Sequence, residues 1–102
     1  MWILQSADGQ TDASAVTFRI KPGTIKTVGR APRADFIVDA ALVSRLHCRL
    51  EVTDDRIDVI DLSSTNGTFV NGKRIERARL RSGDLLQVGR LALKVERVAN
   101  ES

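Results

Sequence analysis

The sequence predicts an all-β protein folded as a β-sandwich. Apolar and polar residues alternate in several short runs, turn-forming residues separate those runs, and aromatic residues are few. Because Trp2, Phe18, Phe36 and Phe69 are the only aromatic residues, the core must be built from Val, Ile and Leu, which favours strands. Many short antiparallel strands in a chain of 102 residues are typical of two packed sheets.

The clearest strands have a period of two, in which every second residue is apolar. Val, Phe and Ile alternate with polar residues over 16–20, Cys, Leu and Val over 48–52, and two Leu and a Val over 91–95. Shorter apolar runs predict further strands at 25–28, 36–38, 57–60 and 85–88.

Turn-forming residues separate these strands at Pro22-Gly23, Asp54-Asp55 and 82–84. Gly89-Arg90 fits a two-residue type II′ hairpin, which has Gly at its first central position. Residues 6–14 are polar, and we expect them to form a mobile loop.

A helix is the alternative for residues 73–81, which are rich in Arg, Glu and Ala. Their apolar residues Ile75, Ala78 and Leu80 form no sustained stripe at helical spacing. We therefore expect this segment to be a loop with short pieces of strand.

Length and composition indicate one soluble globular domain with a single core. The hydrophobic content of 42% and charged content of 28% are ordinary, and a net charge of +3 suits anionic partners without specifying one. The single Cys48 excludes an internal disulfide, and it lies on the apolar side of its strand, where we expect it to be buried. No signal peptide or membrane span is apparent, which indicates a cytoplasmic protein, or a nuclear one in a eukaryote.

The strongest functional signal lies in residues 61–72, with the sequence DLSSTNGTFVNG. Its two Asn-Gly steps favour turns because both residues tolerate positive φ, and its hydroxyls favour local hydrogen bonds. Two shorter segments have the same character, Gly29-Arg30 after one apolar run and 44–47 (Ser-Arg-Leu-His) before another. Turns that present Arg, Ser, Thr and Asn together form a receptor for an oxyanion, and phosphate is the obvious one.

These segments, together with Gly83-Asp84 and Gly89, resemble the forkhead-associated (FHA) domain in their order and spacing. The resemblance covers about residues 25–97 of what we interpret as one domain over 1–102, with a tail at 98–102. It implies an FHA/SMAD-like sandwich of about eleven mostly antiparallel strands in two sheets, with the binding loops at one end. It also implies a module that recognises phosphothreonine in partner proteins, without catalytic activity, cofactor or metal ion. Separately, we expect the protein to be a monomer.

The same resemblance assigns the residues of the site. The family's phosphate-contacting positions fall on Arg30, Ser44, Arg45 and Thr65, and its contact to the peptide backbone falls on Asn66. The chemistry of these residues fits that assignment. A guanidinium can grip two phosphate oxygens, a hydroxyl can donate a hydrogen bond, and an amide can both donate and accept.

Four positions are expected to support the loops, and one to set specificity. His47 matches a histidine that is architectural in the family, Gly29 ends the strand before the first arginine, and Gly67 and Gly72 are expected to supply positive φ. Leu42 stands two positions before the motif serine, where the family often reads the third residue after the phosphothreonine. If the Leu42 side chain faces the peptide, it favours Ile, Leu or Val at that peptide position. The alternative is that Leu42 packs inward and the loop selects no residue there.

The sequence disfavours two enzyme-like interpretations of these motif residues, a nucleotide-binding P-loop and a catalytic triad. Residues 67–73 match the first seven positions of a P-loop, but Arg follows instead of the Ser or Thr that holds magnesium, and no helix pattern follows. Ser44, His47 and Asp61 contain the groups of a nucleophile, base and orienter, but residues three apart on a strand point to opposite faces. We expect Asp61, like Asp35, to accept hydrogen bonds within the loops.

Two binding alternatives stay open. A phospho-independent interaction module would use another face of the sandwich and would need a large exposed apolar patch. A basic nucleic-acid binder is compatible with a pI of about 9.6, but the arginines are spread along the chain without aromatic platforms between them, which makes nucleic acid the less favoured partner. A metal site is disfavoured because one His and one Cys, adjacent in sequence, project in opposite directions.

Overall fold

The computed structural model describes residues 1–6, 16–53 and 55–98, and there the chain forms eleven β-strands in two sheets. No helix in this part of the chain is long and apolar enough to span a membrane. The strands are β1 (Trp2–Ser6), β2 (Thr17–Ile20), β3 (Ile25–Gly29), β4 (Phe36–Ile37), β5 (Cys48–Val52), β6 (Ile57–Asp61), β7 (Thr68–Val70), β8 (Lys73–Ile75), β9 (Arg77–Leu80), β10 (Leu85–Val88) and β11 (Leu91–Arg97).

The six-stranded sheet has the order β2-β1-β11-β10-β7-β8, and the five-stranded sheet has the order β4-β3-β5-β6-β9. Neighbouring strands are antiparallel except β3 and β4, which are parallel. The first and last strands pair along their length, with Trp2 opposite Arg97 and Ser6 opposite Leu93. The predicted all-β sandwich of mostly antiparallel strands is therefore confirmed.

The core lies between the sheets and is aliphatic, as the scarcity of aromatic residues predicts. Leu4, Leu50 and Leu93 are fully buried, and each contributes about 1.5–3 kcal/mol through removal of its side chain from water. Cys48 is also buried, and this burial, with a smaller effect of the charge on Asp61, raises the pKa of its thiol to about 12.

Two segments differ in detail from the sequence expectations. The segment 73–81 contains two strands, β8 and β9, with Glu76 between them where the chain crosses from one sheet to the other. Ser6 belongs to β1 and not to the predicted loop, and the rest of that predicted loop, residues 7–14, lies outside the described residues. The alternation missed β1 because its first three residues, Trp-Ile-Leu, are all apolar.

Three connections, 30–35, 38–47 and 62–67, gather with the turn Gly89-Arg90 at one end of the sandwich, which we call the loop end. Backbone hydrogen bonds join them, including Arg90 N–H to the Ala41 carbonyl at 2.9 Å. Gly89 has a φ of 58° whereas Arg90 does not have positive φ, which is the pattern of the predicted type II′ turn.

Candidate functional site

A cavity of about 570 Å³ opens at the loop end. It is formed by all three connections, although these are far apart in sequence. The residues predicted to contact phosphate, peptide backbone or the flanking side chain all line it, namely Arg30, Leu42, Ser44, Arg45, Thr65 and Asn66.

Arg30 is positioned by backbone pairing between two of the connections. Its N–H donates to the Ser44 carbonyl at 3.0 Å, and the next N–H, of Ala31, donates to the Arg45 carbonyl at 3.0 Å. This pairing packs the Arg45 carbonyl against Gly29, where a Cβ would lie 2.1 Å from the carbonyl oxygen. Because only glycine fits there, Gly29 sets the spacing of the two loops that present the arginines.

Arg30 and Arg45 are exposed, and neither guanidinium has a hydrogen bond or ion pair within residues 1–6, 16–53 and 55–98. The carboxylate of Asp35, in the same connection as Arg30, is occupied by Thr27, whose N–H and hydroxyl donate to it at 2.8 Å and 3.1 Å. These two hydrogen bonds lower the pKa of Asp35, and the bond from the backbone N–H has the larger effect. Two positive groups therefore remain available to an anion.

Two hydroxyls lie beside these arginines. The Oγ of Ser44 accepts a hydrogen bond from the N–H of Thr65 at 3.0 Å, which leaves the serine proton free to donate. The hydroxyl of Thr65 has no hydrogen-bond partner in the part of the chain that the structure describes. The cavity therefore offers two hydroxyl donors in addition to two guanidinium groups.

Asn66 and Leu42 are joined across the cavity. The Nδ2 of Asn66 donates to the Leu42 carbonyl at 3.2 Å, so the amide oxygen stays available to a ligand. Leu42 has a φ of 68° and its side chain is 52% exposed. Inward packing of Leu42, the alternative raised by the sequence, is therefore not observed.

His47 is fully buried and joins two connections. Its Nδ1 accepts a hydrogen bond from the N–H of Ser44 at 3.0 Å, and its Nε2 lies 2.8 Å from the Gly67 carbonyl. Since a backbone N–H can only donate and a carbonyl can only accept, the ring is the neutral tautomer with its proton on Nε2. This geometry fits the predicted architectural role, and it leaves the Ser44 hydroxyl without a histidine base.

Asp61 organises the connection 62–67, as expected for a loop-fixing acceptor. Its carboxylate accepts hydrogen bonds from the hydroxyl and N–H of Ser64 and, at 2.7 Å, from the hydroxyl of Thr68. Burial raises the pKa of Asp61, but the hydrogen bonds from Ser64 and Thr68 outweigh it and the pKa lies below its usual value. The sequence patterns did not identify Ser64, whose Oγ also accepts a hydrogen bond from the Gly67 N–H at 3.0 Å. The Asp-x-x-Ser spacing was its only signal.

The two Asn-Gly steps lie at opposite ends of the sandwich. Gly67 has a φ of 91° at the loop end, and Gly72 has a φ of 82° in the β7–β8 hairpin turn. Because Thr68 pairs with Val88 and Val70 pairs with Leu86, β7 leads away from the loop end. Gly72, which was expected to support the binding loops, is therefore separated from the cavity by a three-residue strand.

The chain is similar to known proteins of one family. The FHA domain family matches residues 26–89. The glycogen accumulation regulator GarA of Mycobacterium tuberculosis is 36% identical over 69 residues, which cover 68% of this chain and 43% of GarA. The chain spans less than half the length of the curated relatives that it matches.

Solved structures of FHA domains are similar to this chain over almost its whole length. The FhaA FHA domain, complexed with the intracellular domain of Rv3910, superposes with a TM-score of 0.82 at 30% identity and covers 94% of this chain and 100% of its own. A structure from work on phosphothreonine-dependent FHA domain interactions has a TM-score of 0.85 at 29% identity and covers 97% of this chain and 98% of its own. By its fold, its motifs and the matched family, this chain belongs to the FHA domain family.

Proposed function

We propose that the loop-end cavity binds the phosphate of a phosphothreonine in a partner protein, so that the domain acts as a phosphopeptide-binding signalling module. The observation that carries this proposal is that one cavity combines two arginines, which have no carboxylate partner among the described residues, with two available hydroxyl donors. A planar guanidinium donates in parallel to two phosphate oxygens, and hydroxyls reach the remaining one. The phosphothreonine-dependent interactions of a similar FHA domain support the same function.

In this proposal Arg30 and Arg45 bind the phosphate charge, Ser44 and Thr65 donate their hydroxyl protons, and the amide oxygen of Asn66 accepts a peptide N–H. Each hydrogen bond to the charged phosphate contributes about 1.5–3 kcal/mol. Four or five such bonds, reduced by several kcal/mol for association and ordering, give a dissociation constant of about 1 μM. Binding of that strength is reversible, as signalling requires.

The domain acts in this proposal by binding alone. The nitrogen of His47 that faces Ser44 accepts the backbone N–H and not the hydroxyl, so the pair does not form a nucleophile and base. The curated name of GarA, a regulator, is consistent with a role in binding.

The experiment that tests the proposal is a calorimetric titration with an oriented phosphothreonine peptide library and with the same peptides carrying unmodified threonine. We expect binding only to the phosphorylated peptides. Equal binding of both sets would favour a phospho-independent interaction module. A salt-dependent affinity for duplex DNA, with indifference to peptide phosphorylation, would favour the nucleic-acid alternative.

A further inference from the structure

The backbone of Leu42 is held in an unfavourable conformation at the edge of the cavity. Its φ of 68° lies in the left-handed region, which residues with a side chain rarely adopt unless their surroundings impose it. The side chain is nevertheless half exposed and lines the same cavity as Arg30 and Thr65.

Three contacts from other segments impose this conformation. Asn66 Nδ2 donates to the Leu42 carbonyl at 3.2 Å, and Arg90 N–H donates to the Ala41 carbonyl at 2.9 Å. The backbone of Leu42 also packs directly on Gly89, where a Cβ would lie 2.6 Å from both the carbonyl carbon and the oxygen of Leu42. The obstructing atoms belong to the backbone, so they cannot rotate aside as a flexible side chain could.

We propose that the turn Gly89-Arg90 is a positioning element for peptide selectivity. It holds Leu42 in the left-handed conformation, so that the leucine side chain is presented to an aliphatic side chain of the bound peptide. This inference rests on the proposed function, and it adds to it a determinant outside the residues that line the cavity. Since the phosphate is bound elsewhere in the cavity, the turn controls the choice of flanking residue and not the requirement for phosphate.

The test compares Gly89→Ala with Gly83→Ala. Both glycines have positive φ, 58° and 98°, but a Cβ on Gly83 would meet nothing within 4 Å. Gly83→Ala therefore has the same kind of backbone strain without disturbing Leu42. The ligands are two phosphothreonine peptides with Ile or Ala as the third residue after the phosphothreonine, and the Ile peptide with unmodified threonine.

We expect the wild-type domain and Gly83→Ala to prefer the Ile peptide by about tenfold, because an aliphatic side chain is buried against Leu42. In Gly89→Ala this preference falls to within about twofold, while binding still requires the phosphate. Equal preferences in Gly89→Ala and Gly83→Ala would overturn the inference. A wild-type domain that binds both phosphopeptides equally would also overturn it while the proposed function stands, and one that binds neither would overturn both.

A second pair of variants keeps the inference testable if Gly89→Ala does not fold. Arg90→Pro removes the N–H that binds the Ala41 carbonyl and adds no atom at position 89, whereas Arg90→Ala keeps that N–H. We expect the preference for the Ile peptide to fall by about threefold in Arg90→Pro relative to Arg90→Ala. An identical preference in the two Arg90 variants would contradict the positioning role.

Discussion

The loop end and the outer face of the five-stranded sheet both present arginines, but with different partners. On the sheet, the guanidinium of Arg77 lies 3.3 Å from Glu51 and 3.0 Å from Asp58. At the loop end, Arg30 and Arg45 have no such partner within the described ranges. Arginine therefore forms ion pairs on the sheet and remains available to an anion at the loop end, and the difference depends on the neighbouring carboxylates.

The cause of the difference lies in how each region uses its acidic side chains. On the sheet, strand register places Glu51 opposite Asp58, and a second arginine, Arg56, binds Asp58 at 3.1 Å. At the loop end, Asp35 and Asp61 accept hydrogen bonds from hydroxyls and backbone N–H groups. Loop carboxylates that are occupied in this way shape the loops without neutralising the arginines that an anion needs.

The largest expected effect is that of Arg30→Ala on phosphopeptide binding. Loss of a guanidinium that grips two oxygens should weaken binding at least about thirtyfold, without a change in melting temperature. Arg30→Lys should also bind weakly, because a point charge cannot replace the planar group. The control is Arg79→Ala, which removes an exposed arginine from the outer sheet face and should leave affinity unchanged. Calorimetry that finds near wild-type affinity for Arg30→Ala would contradict the assignment.

His47→Ala tests whether buried hydrogen bonds stabilise the loop end, in contrast to the outer face of the sheet. We expect the free energy of unfolding to fall by about 1–3 kcal/mol, since the Ser44 N–H and the Gly67 carbonyl lose their partner. Chemical denaturation measures this change, and any loss of binding should follow from it. Unchanged stability together with lost affinity would make His47 a ligand contact instead.

Phosphothreonine and phosphoserine peptides test whether the loop end reads more than charge. The additional methyl group of threonine should be buried against the connection that carries Thr65 and Asn66, which favours phosphothreonine by about fivefold. Matched peptides that differ only in this methyl group provide the measurement. Equal affinities would show that the cavity recognises the phosphate alone.

Arg77→Ala should have the opposite pattern to Arg30→Ala. Its side chain is 56% exposed and Asp58 keeps Arg56 as a partner, so the free energy of unfolding should fall by less than about 1 kcal/mol. Phosphopeptide affinity should stay at the wild-type value. A large loss of affinity in this variant would mean that the two regions are coupled.

The smallest expected effect is that of acidic pH on the stability of the domain, through Asp61. Because the pKa of Asp61 is lowered in the folded state, its contribution to stability is present above the unfolded pKa of about 4 and is lost as the pH falls through the lower folded value. Melting curves between neutral and strongly acidic pH should show less acid destabilisation in Asp61→Asn than in the wild type. Parallel curves for the two proteins would exclude this role for Asp61.

Local sequence patterns predict much of this fold because each strand carries its own periodicity. In β5 and over residues 91–95 of β11, every second side chain enters the core, and the alternation is visible without knowledge of the neighbours. The pairing order and register are not visible in this way. The contacts of Asp58 with two arginines could therefore not be predicted, although the strand that carries Asp58 was.

The candidate site likewise has features that the sequence predicts and features that it does not. The resemblance to a known family could assign Arg30 and Ser44 to one site because their motifs are contiguous in sequence, and both residues line the same cavity. The left-handed conformation of Leu42 arises from contacts with Asn66 and Gly89, which are distant in sequence and leave no local signal. Long-range packing of this kind is what a single sequence does not reveal.

The pairing of β1 with β11 has a mechanical consequence. The Val98 N–H donates to the Met1 carbonyl at 2.9 Å, so these two residues lie side by side. Because β11 begins next to the turn at Gly89 and runs for seven residues, they are about 20 Å from the cavity. A tether or a further domain joined at either residue would leave the cavity accessible to a large partner. Tension applied between the two residues would open the β1–β11 hydrogen bonds one after another from that end, and the connections at the loop end would be the last to bear the force.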